Sequence, residues 1–230
     1  MKTKSFLRQI TYAGQVAILT FMLLGCEENN MTGLETITEE TEAADTLQDQ
    51  LLMSLDISSL PFEELSQDEI NGLMFMREEE KLARDTYIQL YDLFSLQNFN
   101  NISKSEQVHM DAILYLLEKY NLEDPVDGND IGIFHNEYLQ QLYNDLLEMG
   151  QADRIAALKV GALIEETDIL DIQKELDHVV DNQDVQFVYE NLIRGSKYHL
   201  NSFVGVLRFY GVNYEPVLLD EDTYLEIVGE

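Results

Sequence analysis

Glu106 and His109 stand three residues apart in the stretch Ser105-Glu106-Gln107-Val108-His109-Met110. On a helix this spacing puts a carboxylate and an imidazole on one face, a turn apart. The face continues through Ile102, Ile113, Leu116 and Tyr120, so two polar groups interrupt an apolar seam. Buried polar groups without partners are costly, and a bound metal ion is a physical reason for placing them there. Three further seams carry the same kind of interruption. Glu80 falls among Leu73, Met76, Ala83, Tyr87, Leu90 and Phe94; Glu165 among Ile155, Leu158, Ala162, Ile169, Ile172 and Leu176. His199 falls among Val185, Tyr189, Leu192, Ser196, Phe203, Val206 and Tyr210.

Carboxylates and imidazoles together suit iron or manganese, and a carboxylate can bridge two ions. Glu80, Glu106 and Glu165 are the candidate carboxylate ligands, with His109 and His199 as terminal imidazoles. Glu166 is the alternative to Glu165: periodicity favours Glu165, while aligning the two halves of the chain favours Glu166. Asp168, a turn from Glu165, could orient a ligating histidine. Tyr87 and Tyr189 line the seams, with packing as the expected role, and His135 and His178 receive none. Ser103 to Glu106 also fits a capping box, which would make Glu106 a helix-start device. The ligand reading requires the helix to begin near Asn98, the capping reading at Ser103.

The elements that must position these groups are helical. Ser66 and Glu69 form a capping box ahead of an amphipathic run over 67–94. A second helix ends near Tyr120, before Asp124-Pro125. A shorter one covers about 136–149, and two more long ones cover about 153–178 and 184–210. No useful strand alternation occurs, so the expected class is all-α, a bundle of four long helices with a short crossover helix between the second and third. The tail, 212–230, has apolar residues that could pack back.

The 230 residues carry 44 acidic and 14 basic side chains, a formal charge of −30. That balance excludes nucleic acid as an expected partner, and contact of the domain itself with anionic lipid. With a single cysteine, Cys26, there is no intrachain disulfide and no cysteine-based zinc site. Residues 1–25 read as a signal peptide: Lys2, Lys4 and Arg8 precede an apolar run ending Leu23-Leu24-Gly25-Cys26. That ending resembles a bacterial lipobox, which implies a lipid on Cys26 and an extracytoplasmic, membrane-anchored protein of the cell envelope. Residues 26–60 are acidic and polar, expected to act as a tether. The folded domain is expected over 61–211.

The run Glu80-Lys81-Leu82-Ala83-Arg84-Asp85-Thr86-Tyr87 resembles the first-helix motif of rubrerythrin-like proteins, and Phe99 to His109 resembles their second-helix motif. Over about 65–211 the chain more closely resembles the ferritin-like DUF2202 domain. The shared stretches are Glu79 to Asp85, Ser105-Glu106-Gln107 with His109-Met110, Gly161-Ala162 with Ile164-Glu165-Glu166 and Asp168-Ile169, and Gly195-Ser196 with His199-Leu200. The resemblance implies a ferritin-like four-helix fold, and with it metal binding. One departure stands out: where a second Glu-x-x-His is expected, the chain has Ser196-Lys197-Tyr198-His199. Five ligands remain instead of six, unless Glu166 or Asp168 swings in.

The resulting expectation is a membrane-anchored protein with a mono- or dimetal iron or manganese site, of the class that does redox or oxygen and peroxide chemistry. The competing one is a non-catalytic interaction or structural lipoprotein whose polar seam is a residual hydrogen-bond network. The sequence leaves a homodimer open.

Overall fold

The structure, a computed structural model, describes residues 57–229. The expected leader, Cys26 and all but the end of the acidic segment lie outside the described residues.

Helix α1, Gln67–Phe94, opens with the reciprocal cap written in its sequence: Ser66 Oγ accepts from the Glu69 amide at 3.1 Å, and Glu69 Oε2 accepts from the Ser66 amide at 2.8 Å. Ser95, in the left-handed region at φ 53°, stops it, and α2, Gln97–Lys119, begins at once in the opposite direction. Because α2 starts at Gln97, Glu106 lies well inside the helix and is not a capping residue. A loop leads to α3, Glu137–Gly150, capped by Asn136 Oδ1. Asp153 caps α4, Arg154–His178, which turns into α5, Gln183–Phe209. A short α6, Glu221–Val228, capped by Asp220, organises the tail.

The chain is all-α, a helical bundle in which α1 lies along α2 and α4 along α5. The pairs meet through α2 against α5 and α1 against α4, and the short α3 crosses over the α1 and α4 side. Among the described residues no strand occurs, and no helix is long and apolar enough to cross a membrane.

The seams close on each other. Tyr87, Phe99 and Phe203, all fully buried, pack with ring centroids 5.3–5.8 Å apart. Gly161 makes room for them, since a Cβ there would stand 2.6 Å from the Phe203 ring. Burial of such rings is among the larger favourable contributions in a core.

Part of the acidic run on α1 does structural work. Lys81, 1% exposed, donates to the Asp85 carboxylate and to the Asp130 carbonyl at 2.8 Å, and lies over the Phe134 ring. Asp85 also accepts from the Gly132 amide at 2.8 Å and from Arg84. Glu78 accepts from the amides of His135 and Asn136. Together these hold the α2–α3 loop onto α1, satisfying backbone donors that would otherwise be buried unpaired.

Candidate metal centre

Four helices deliver one buried polar patch. Glu80 comes from α1, Glu106 and His109 from α2, Glu165 from α4 and His199 from α5, and each is at most 4% exposed. Their ligand atoms form two groups, each within 4.8 Å: Glu80, Glu106 and His109; and Glu106, Glu165 and His199. Glu106 belongs to both.

The two oxygens of Glu106 are divided between the halves. Oε2 lies 2.8 Å from His109 Nδ1, and Oε1 lies 3.0 Å from His199 Nδ1. Glu80 Oε2 completes the first half at 3.1 Å from His109 Nδ1, and Glu165 Oε2 the second at 3.5 Å from His199 Nδ1. The imidazole centroids are 5.6 Å apart.

These short contacts are charge pairs, and only that of His109 Nδ1 with Glu80 Oε2 has full hydrogen-bond geometry. Both oxygens of Glu106, Glu165 Oε2 and His199 Nδ1 have no hydrogen-bond partner of acceptable geometry, although they lie at hydrogen-bond distances. Once the rings give up their protons, lone pairs crowded this closely face one another and can turn to a shared ion. Ligand atoms about 2.1 Å from one ion and at right angles to each other are about 3 Å apart, which matches the spacing seen. The donor set, three carboxylates and two imidazoles, fits a hard or borderline divalent ion such as Fe(II) or Mn(II).

Burial pushes the Glu80 carboxyl up to about 7, against the opposing pull of His109. Burial followed by the charge of Glu106 does the same to Glu165, also to about 7. Burial would also raise Glu106, but the imidazoles of His199 and His109 overturn it and hold this carboxyl well below its ordinary value. Burial works against charge on the imidazoles too, and is outweighed by Glu80 and Glu106 at His109 and by Glu106 and Glu165 at His199, raising both. The central carboxylate is therefore the one most firmly ionised, and the outer two are poised near neutrality.

Neighbouring groups orient the set. Tyr87 donates to Glu165 Oε1 at 2.5 Å, leaving Oε2 toward His199, so this tyrosine does more than pack. Ser105 Oγ lies 3.0 Å from His199 Nε2, steering Nδ1 to Glu106. Sequence reasoning gave Ser105 no part, because a serine beside a ligand has no signature without knowing which histidine faces it. Asp168 is buried beside the patch but outside both ligand groups. Glu79 was also not singled out; it is 3% exposed, next to Glu80. His135 and His178 are exposed.

Glu166 and Ser196 both stand apart from the patch. Glu166 is turned away from the patch: its carboxylate accepts from Tyr214 Oη at 2.6 Å and from the amides of Val217, Leu218 and Leu219 at 2.6–3.0 Å. It cannot swing in as a sixth ligand without abandoning all four donors. Ser196, fully buried, donates its hydroxyl to the Leu192 carbonyl at 3.1 Å on its own helix. The α5 half of the patch thus lacks the carboxylate that α2 supplies.

The region that carries these residues matches a known family. The DUF2202 family, described as an uncharacterized protein domain, matches residues 69–230. The uncharacterized protein MJ0754 of Methanocaldococcus jannaschii is 51% identical over 173 residues, covering 75% of this chain and 93% of its own length. The crystal structure of the hypothetical protein MJ0754 from Methanococcus jannaschii superposes with a TM-score of 0.73 at 50% identity, covering 75% of this chain and 98% of that one. With a family match over most of its length and a relative at this identity, the chain belongs to the DUF2202 family.

Proposed function

We propose that this chain is a ferritin-like metal protein whose bundle holds two iron or manganese ions bridged by Glu106. The observation that carries the reading is the Glu106 carboxylate: fully enclosed, with no well-directed hydrogen bond on either oxygen, and presenting one oxygen to each imidazole Nδ1. Glu80 and His109 would hold the first ion, and Glu165 and His199 the second. Bound there, such ions would supply redox chemistry toward oxygen or peroxide. The chain's own contribution is to keep water out with the Tyr87, Phe99 and Phe203 cluster, to fix Glu165 through Tyr87, and to fix the His199 ring through Ser105. A lipid on Cys26 would tether the domain to the cell envelope, extracytoplasmically; replacing that residue, Cys26→Ser, is expected to move the protein from the membrane to the soluble fraction.

The test is elemental analysis of anaerobically purified protein after exposure to Fe(II) or Mn(II). Two ions per chain are expected, one per ligand group, and Glu106→Gln is expected to lose both. A second reading, a structural lipoprotein with a polar seam, draws on the His109 Nδ1 to Glu80 Oε2 hydrogen bond, which closes without an ion. Metal-free wild type with a melting temperature indifferent to Fe(II), Mn(II) and chelator would favour that reading and sink the first.

A further inference from the structure

The two halves of the patch are built alike but not closed alike. In the first, His109 Nδ1 lies 2.8 Å from Glu106 Oε2 and 3.1 Å from Glu80 Oε2, the latter with full hydrogen-bond geometry. In the second, His199 Nδ1 lies 3.0 Å from Glu106 Oε1 but 3.5 Å from Glu165 Oε2. Ligand atoms on one small ion stand about 3 Å apart, so Glu165 has to move in, whereas Glu80 is already in place. The other oxygen of Glu165 accepts from the Tyr87 hydroxyl at 2.5 Å, a bond that anchors the carboxylate where it stands. Ser196, one turn before His199 on α5, gives its hydroxyl to the Leu192 carbonyl and adds no charge to this half.

The remote nitrogen of His199 meets Ser105 Oγ at 3.0 Å, and both residues are 2% exposed. A neutral imidazole offers its Nδ1 lone pair to an ion only when Nε2 carries the proton. That Nε2–H is buried and needs an acceptor, and Ser105 Oγ stands where one is required. A carboxylate in this place would accept more strongly and make the ring a better donor to an ion; a neutral hydroxyl leaves it a weaker one. Ser105 and Glu106 are adjacent on α2, so the helix that carries the shared carboxylate also holds the ring of the second half.

We propose that Ser105 is the positioning residue of the Glu165–His199 position, and that this position is the weaker of the two and fills second. The inference rests on the dimetal reading above. It is tested by titrating the metal-free full chain with Co(II), following the visible absorbance and counting bound metal by elemental analysis. Two steps are expected in wild type, the second roughly tenfold or more weaker than the first. Glu80→Gln and Glu165→Gln assign the steps, because each weakens the one to which its carboxylate belongs. Ser105→Ala is expected to weaken only the Glu165 step, by about 10–100-fold, the range for losing the outer partner of a ligating histidine. Ser105→Thr, which keeps the hydroxyl, is expected to keep the wild-type step. A loss in the Glu80 step, in both steps alike or in neither overturns the positioning role, and so does a threonine variant as weak as the alanine one. Wild type needs no substitution for a second readout: in Zn(II)-loaded, 15N-histidine-labelled protein, His199 is expected to keep its proton on Nε2, and a proton on Nδ1 overturns the role. Equal steps in wild type, or first filling at Glu165, overturn the order. Wild type that takes up no Co(II) rejects the dimetal reading itself, a result distinct from these.

Discussion

Glu165 and Glu166 are neighbours in sequence with opposite surroundings: Glu165 Oε2 lies 3.5 Å from His199 Nδ1, while Glu166 accepts hydrogen bonds from Tyr214 and the amides of residues 217–219. One residue along a helix is a rotation of about 100°, enough to send one carboxylate into the bundle and the other to the tail. Both are fully buried, so burial alone does not separate a ligand from a structural acceptor.

The two are therefore expected to fail differently. Glu165→Gln should lower bound metal, with little effect on the tail. Glu166→Gln should keep the metal and loosen the tail, because an amide offers its NH₂ where backbone donors already point. Hydrogen exchange at residues 217–219 should quicken, and stability should fall by about 1.5–3 kcal/mol, the range for hydrogen bonds to a charged group. Loss of metal in Glu166→Gln with an intact tail would reverse this assignment.

The metal-free protein should lose stability as pH rises from about 5 to 8. Glu80 and Glu165 move from an ordinary 4.5 to about 7 in the fold, so between those values the folded chain holds more protons than the unfolded one. Stability falls with pH wherever the folded state binds more protons. The raised His109 and His199 act in the same direction above 6.5, since their charged forms are favoured only in the fold. The lowered Glu106 acts oppositely, but only below its ordinary 4.5. Bound metal requires deprotonated ligands, so loaded protein should show a flat or rising profile over the same range. Thermal melts at several pH values, with and without Mn(II), check this; parallel falling curves would contradict it.

Ser196→Ala should leave metal content unchanged and cost on the order of 1 kcal/mol or less. The serine hydroxyl bonds its own helix at Leu192, and that carbonyl already belongs to the helical ladder. A loss of metal in this variant would show that the hydroxyl turns toward the centre when ions are bound.

Most of the helical framework was legible locally, because the signals that start and stop these helices are themselves local. Ser66 with Glu69, Asn136 and Asp153 cap their helices through side chains within three residues. The 3.6-residue period put Glu80, Glu106, Glu165 and His199 in apolar seams, and a polar group in such a seam marks itself. The α2 start was ambiguous, since Ser103 and Glu106 have the spacing of a cap. Packing from Gln97 onward decided it: Asn98, Phe99 and Ile102 are buried before Ser103 is reached. The tail was unreadable for the opposite reason, because Val217, Leu218 and Leu219 take their shape from a carboxylate on α4.

By itself, the sequence determined the helical class, the phase of each seam and the residue types able to bind an ion, since these follow from periodicity and side-chain chemistry. Tertiary structure alone decided that Glu106 lies between two histidines, that Lys81 and Asp85 hold a loop and that Glu166 serves the tail. The physical reason is that a helical period fixes the direction in which a side chain leaves its own axis, whereas the partner it meets is set by the helix or loop packed across from it.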